Sequence, residues 1–357
     1  MPLAHRTRLL AASIVVAVLV LACGGGGGAT PAGTTPSGTG AASGDASQPR
    51  VPLTVGLGYI PSVQFAPFYL AQTKGYYRDA GLDVTLQNKI DEALVPLVGQ
   101  GAIDIGLADG TSVIAAVSQE QAPIPIRYVG TVYAKFPSIV FAKPTAGIST
   151  AENLKGRKIG IPGRYGSSWI MLQALLKSAG LTPSDVTVVE FPDFSQGAAV
   201  TQDRVDAATG FVNNEPVVLA RQTGTQPVVL RVDQITPLPG NGFIAGVKTI
   251  ESKGDALSGF IAATLRAMHE IIANPDAGLD ASIASVPELA SDRALQRAIL
   301  LATIDTWQSP LTSKRGLGVI DREGWTKSVD YMRSLGLVGK PVTVDDLVQD
   351  DLLPGAD

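Results

Sequence analysis

Cysteine occurs once in the 357 residues, at position 23, and histidine twice, at positions 5 and 269. So few soft ligands exclude a zinc or iron–sulfur centre. A single thiol likewise excludes a disulfide framework, and its place near the N-terminus leaves none for catalysis in the body of the chain. Charge is also sparse: Asp, Glu, Lys and Arg make up 17% and the formal net charge is −4. A nucleic-acid binder needs a basic footprint to neutralise phosphates, and none is present. Aromatic residues amount to only 6%. Apolar residues, by contrast, make up 45%, enough for a real core, which rules out a wholly disordered chain. At roughly 150 residues per domain, the length suggests two domains.

The N-terminus has an ordered grammar. Arg6 and Arg8 open it, Leu9 to Leu21 form an apolar run, and Val20-Leu21-Ala22-Cys23 closes it. The run is too short to cross a hydrocarbon layer of roughly 30 Å as a helix. Small residues before the cut site suit a signal peptidase. The arrangement resembles the lipobox of bacterial lipoproteins, which implies that residues 1–22 are a signal peptide and that Cys23 is lipidated. An ordinary secretory peptide with an incidental cysteine is the other reading, and the position of the sole cysteine favours lipidation. Residues 23–50 then follow, with an unbroken run Gly24 to Gly28 and Ala, Thr, Pro, Ser and Gly thereafter. Such a segment buries too little apolar surface to offset its ordering entropy, and as a coil would reach on the order of 30 Å. The expected location is the extracytoplasmic face of the cell membrane, held by the lipid.

From Val51 onward strand and helix patterns alternate, as in an α/β protein. Strands are expected over 51–58, 82–87, 103–108, 126–133 and 138–142, with helices over 65–74, 93–101 and 111–119. A second block begins near Ser149, with strands over 158–161, 186–191, 207–211, 228–232 and 243–247. Its helices are expected over 167–180, 197–201 and 215–222. After Lys253 the pattern is helical, over about 258–273, 281–286, 291–307 and 322–335. The expected division is one lobe from 51–145 and 246–357 and a second from 146–245, with the C-terminal helices packed back on the first.

Three stretches carry a family resemblance. The first runs from Gly58-Tyr59-Ile60-Pro61 through Phe65-Ala66-Pro67-Phe68-Tyr69-Leu70-Ala71, then Lys74-Gly75-Tyr76-Tyr77 and Gly81-Leu82-Asp83-Val84. The others are Gly101-Ala102-Ile103-Asp104-Ile105-Gly106 and Asn153-Leu154-Lys155-Gly156-Arg157-Lys158-Ile159-Gly160. Together they resemble the thiamine-pyrimidine-synthesis-like family of solute-binding proteins of ABC importers, over nearly the whole body. The resemblance implies the type II periplasmic-binding-protein fold, α/β, with two α/β lobes, two hinge crossings and a ligand cleft between them. Each stretch also has a structural reading. Lys74-Gly75-Tyr76-Tyr77 ends a helix through a left-handed glycine, and Asp104 caps a turn.

Ligands of open α/β sheets bind outside the carboxyl ends of strands, and four segments fall there. The first holds Tyr59, Gln64, Phe65 and Phe68; helical spacing places Gln64 and Phe68 on one side, with core packing as the alternative for both phenylalanines. In the second, Asp109 either accepts hydrogen bonds from ligand N–H groups or caps the following helix. The third holds Arg164, Tyr165, Gly166, Ser167 and Ser168, where a helix start offers N–H groups to an anion or carbonyl and Arg164 and Tyr165 could cover a flat ring. A plain cap by Ser167 is the alternative. The fourth holds Asn213 and Asn214, whose amides suit a uracil-like or pyrimidine edge, or else form turns before a helix. Tyr133, Phe136 and Asn241 lie near the expected hinge crossings.

The expected function is binding rather than catalysis. Fungal members of the resembled family act as enzymes through a histidine and a cysteine-rich motif. Here Cys23 and His5 lie in the export segment, and His269 falls on an expected helix far in sequence from the cleft loops. No cofactor and no metal are expected. Aromatic residues gathered around the expected cleft favour a flat heterocycle, and the run Gly58 to Tyr69 looks most like the riboflavin-binding branch. The order of ligands is riboflavin, then a thiamine-type pyrimidine, then an alkanesulfonate-type anion. The expected partners are a membrane permease with a separate ATPase subunit, and no nucleic acid. A structural surface lipoprotein without a ligand is the alternative of a different class.

Overall fold

The computed structural model describes residues 49–88, 93–234 and 237–355. The export segment, Cys23 and nearly all of the 23–50 linker lie outside them. Within the described residues, β1 (Val51–Leu57), β2 (Leu82–Asn88) and β3 (Ile105–Asp109) alternate with helices α1 (Ala66–Thr73), α2 (Tyr76–Asp79) and α3 (Leu94–Gln100). Helix α4 (Gly110–Val117) and β4 (Ile126–Thr131) complete the block. Short apolar runs such as Leu53, Val55 and Leu57 form the buried face of β1, as β periodicity requires. Gly75 holds φ 78°, so the helix before it ends through a left-handed glycine as expected, and the short α2 follows directly.

The second block contains β5 (Ser138–Ala142), β6 (Lys158–Ile161), α5 (Gly166–Ser178), β7 (Thr187–Glu190) and α6 (Gln196–Thr201). It continues with β8 (Ala207–Phe211), α7 (Glu215–Thr223), β9 (Val228–Arg231) and β10 (Asn241–Gly246). Two five-stranded sheets result, ordered β2-β1-β3-β10-β4 and β7-β6-β8-β5-β9. In each, one strand runs antiparallel to both neighbours: β10 between β3 and β4, and β5 between β8 and β9.

This pairing moves the lobe boundaries. Ser138–Ala142 belongs to the second sheet although it was expected in the first lobe, and Asn241–Gly246 belongs to the first although it was expected largely in the second. Both are uninterrupted buried runs, so periodicity gives no sign of which sheet receives them. The chain therefore crosses between β4 and β5 and again between β9 and β10. The crossings touch: a Cβ on Gly240 would lie 2.2 Å from the Tyr133 carbonyl oxygen, so only glycine fits.

Five helices follow: α8 (Val247–Ala273), α9 (Pro275–Ser285), α10 (Arg293–Trp307), α11 (Pro310–Arg315) and α12 (Arg322–Ser334). Helices α8 and α9 pack against α1, and α8 starts earlier than its pattern suggested. Non-helical angles at Lys253 (φ −132°, ψ 22°) kink it, and Lys253 Nζ there donates to Asp104 Oδ1 at 2.8 Å. The other oxygen of Asp104 accepts from Thr54 N at 2.8 Å, which makes Asp104 structural. Phe260 of α8 stacks on Tyr77 at 5.0 Å and lies 6.2 Å from Phe68 and 5.9 Å from Phe243. Each such ring contributes about 2–3 kcal/mol by leaving water.

Candidate functional site

Between the two sheets' loop ends lies a cavity of about 580 Å³. Its wall includes Tyr59, Gln64, Phe65, Asp109, Tyr133, Arg164, Tyr165, Gly166, Ser167, Ser168, Asn214 and Asn241, all expected from sequence. Three expected residues do not line it. Phe68 is 1% exposed and packs on Phe65, Phe243 and Phe260. The reason is local: Gln64 belongs to a 3-10 turn, Val63–Phe65, and α1 begins only at Ala66, so the helical spacing between Gln64 and Phe68 does not apply. Asn213 is buried as well, with Nδ2 donating to Gln64 Oε1 at 2.8 Å and Thr303 Oγ1 at 2.9 Å. It ties the lobes together beside the cavity. Phe136, a weaker candidate, is core of the second sheet.

Asp109 follows the capping one of its two sequence readings and adds a contact across the cleft. It caps α4, accepting from Ser112 N at 2.8 Å, Ser112 Oγ at 2.6 Å and Thr111 Oγ1. It also accepts from Ser167 N at 3.2 Å, so it sits at the start of α5 in the other lobe. Tyr165 is the N-cap residue of α5 and makes no side-chain cap there, whereas the expected cap Ser167 lies within the helix. Ser167 Oγ instead accepts from Ser138 Oγ at 2.7 Å. Arg164 donates through Nε to Glu190 Oε1 at 2.9 Å, and its guanidinium lies 5.0 Å from the Trp169 ring centroid. Gly163 lets the Tyr165 ring fold over the chain, since a Cβ there would lie 2.3 Å from that ring.

Contacts across the cavity also join Tyr59 to the second lobe. Its hydroxyl accepts from Asn214 Nδ2 at 3.1 Å, and its ring meets the edge of Phe194 at 4.7 Å. Phe194 holds φ 59°, a left-handed conformation that costs a non-glycine residue about 1–3 kcal/mol. Strain of this kind persists where surrounding contacts fix a side chain, here a ring on the cavity wall.

Sequence reasoning passed over Gln196, Glu215 and Phe194. Gln196 starts α6 after a strand of the second sheet, the same strand-to-helix position that identified the other segments. It is 1% exposed; Nε2 donates to the Thr209 carbonyl at 3.4 Å, while Oε1 has no partner among the described residues. Asn241 Oδ1 is likewise buried and unpartnered among them. Such orphaned acceptors are uncommon. Glu215, first residue of α7, accepts from Phe211 N at 2.7 Å, and Gly210 makes room for its carboxyl. Burial pushes the Glu215 pKa above the ordinary glutamate range, partly offset by the Phe211 N–H. Burial also raises the Tyr133 hydroxyl, so it stays a neutral donor. His269 is exposed on α8 and is not among the lining residues.

The cavity's wall thus has aromatic faces, apolar patches from α3 and α4, and a few polar atoms. The profile of the family described as NMT1/THI5 like matches residues 62–278. The chain belongs to the NMT1/THI5-like family. This NMT1/THI5-like chain is 35% identical to riboflavin-binding protein RibY of Chloroflexus aurantiacus, over 91% of its own length and 93% of that relative. It is 26% identical to a 4-amino-5-hydroxymethyl-2-methylpyrimidine phosphate synthase of Aspergillus parasiticus, over 76% of this chain and 79% of that one. Among solved structures, the alkanesulfonate-binding protein SsuA from Xanthomonas axonopodis, bound to MOPS, aligns with a TM-score of 0.64 at 16% identity, covering 85% of this chain and all of that one. The two-lobed architecture is the periplasmic-binding-protein fold, as the resemblance implied.

Proposed function

We propose that the protein is the extracytoplasmic solute-binding component of an ABC importer, that it captures riboflavin between its lobes, and that it is not an enzyme. The observation that carries the ligand is the cavity wall itself. The rings of Tyr59, Phe194, Tyr165 and Trp169 line it together with the polar residues Gln64, Gln173, Asn214 and Asn241. A flavin suits such a wall: a flat ring for the aromatic faces, and a ring N–H and a polyol chain for the polar side chains. The volume of about 580 Å³ suits a drug-sized molecule, whereas a single pyrimidine ring would leave much of it unfilled. Similarity to a riboflavin-binding relative over nearly the full length points the same way.

An alkanesulfonate fits less well. It offers only acceptors, and the helix start that would hold it, at α5, is already met by Asp109. A synthase activity of the kind named for other relatives lacks support in the cavity, where no histidine or cysteine lies among the described lining residues. Lobe closure around the ligand is a population shift driven by contacts that bridge both lobes. The closed form would dock on a permease served by a separate ATPase, with Cys23 holding the protein at the membrane through lipid.

Riboflavin fluorescence tests the reading. Titrating the purified protein into riboflavin should give saturable quenching at submicromolar concentration as the ring stacks on tyrosine or tryptophan. No change up to tens of micromolar would reject riboflavin. No binding of pyrimidines or sulfonates either would favour a surface lipoprotein without a ligand.

A further inference from the structure

We infer that the cavity selects an uncharged ligand and rejects the phosphate ester of the same molecule, so that riboflavin is taken and riboflavin 5′-phosphate is not. The inference deepens the proposed function and rests on it for the identity of the flavin. It does not rest on it for the discrimination against charge.

Phosphate sites are built from helix N-termini, arginine and lysine. Here the chain's own carboxylates already take N–H groups around the cavity, at the starts of α4 and α5 and in the segments just before α6 and α7. Asp109 accepts from the N–H groups at the starts of both α4 and α5, through Ser112 N and Ser167 N. At α6, Asp193 Oδ1 accepts from Ser195 N at 3.2 Å and Ser195 Oγ at 2.7 Å. Before α7, the Glu215 carboxylate accepts from Phe211 N. Arg164 is the one cation among the described lining residues, and it is paired with Glu190. Two carboxylates, Asp109 and Glu215, thus face the cavity with no unpaired cation among the described lining residues to balance a dianion.

A phosphate brought into the cavity would meet the two carboxylates with no free cation among the described lining residues to offset them. Like-charge juxtaposition of this kind costs several kcal/mol in a desolvated site. The same wall distinguishes a neutral hydroxymethylpyrimidine from its phosphate, the product class named for some relatives.

The test is paired titration of the full chain at pH 8, where a phosphate monoester carries close to two charges. Flavin fluorescence compares riboflavin with riboflavin 5′-phosphate; calorimetry compares 4-amino-5-hydroxymethyl-2-methylpyrimidine with its phosphate. The expected preference for the neutral member is at least about 100-fold. Affinities within about threefold in whichever pair binds, or a preference for the ester, would overturn the inference, as would binding of neither pair. Riboflavin failing while the neutral pyrimidine binds and its ester does not would reject the flavin reading and uphold the charge selection. In Glu215→Gln the preference should narrow by about tenfold, and an unchanged ratio would remove that carboxylate from the account.

Discussion

Asp109 Oδ2 lies 3.2 Å from the backbone nitrogen of Ser167, so a carboxylate from the first lobe meets the first turn of a helix in the second. The same side chain caps its own helix through Ser112 N. One residue therefore fixes a strand-to-helix turn, spans the cleft and fills an anion position that a ligand would otherwise use.

Asp109→Ala should destabilise the protein by about 2–3 kcal/mol, since it removes a helix cap and leaves a buried N–H in the facing lobe unpaired. Asp109→Asn keeps an acceptor oxygen and should lose less. Urea unfolding, read as a shift in midpoint at constant slope, checks the order of the two variants. An alanine variant as stable as the parent would show that the Ser167 contact contributes nothing.

The strand–helix alternation was legible because most strands are short apolar runs or, like β2, alternate apolar and polar residues, and most helices end at glycine. Which sheet receives β5 and β10 was not, since strand pairing is a long-range property that a run of buried residues does not encode. The cavity wall was legible wherever a loop follows a strand, which located Tyr59, Asp109, Tyr165 and Asn214. Gln196 sits at an equivalent place and was passed over because nothing in Phe194-Ser195-Gln196 departs from ordinary turn composition. Phe68 failed for a different reason: one 3-10 turn before α1 rotated it from the expected face into the core.

Tyr59 joins ligand wall and lobe contact, through Asn214 at 3.1 Å and the Phe194 ring at 4.7 Å. Tyr59→Ala removes the ring and both ties, and should weaken riboflavin binding by about 10- to 100-fold, the effect of losing an aromatic anchor. Tyr59→Phe keeps the ring and should cost only about two- to fivefold. Equal losses in the two variants would assign the effect to the hydroxyl instead.

Glu215 gives the stability a pH dependence of a definite sign. Its pKa is raised in the folded state by burial, so the folded protein holds this proton more tightly than the unfolded chain does. The contribution is fully present below the ordinary glutamate range and is lost as pH rises through the raised value. Glu215→Gln removes the titration, so the stability of the parent minus that of the variant should fall with rising pH over this window. Unfolding midpoints of both proteins measured from acid to neutral pH read the difference directly. A difference that grew with pH would mean that an opposing positive charge, not burial, governs this carboxyl.

Cys23 lies outside the described residues, and its proposed role is tested by location rather than geometry. Lipidation of the thiol supplies two acyl chains, and each buried methylene adds about 0.8 kcal/mol of membrane affinity. One chain alone binds marginally and reversibly, whereas two hold a protein stably. Cys23→Ala should therefore move the protein from the membrane pellet to the soluble extracytoplasmic fraction, with riboflavin binding unchanged. A variant that stayed in the pellet would assign anchoring to the apolar run Leu9 to Leu21 left uncleaved, and it would migrate as the longer, unprocessed chain.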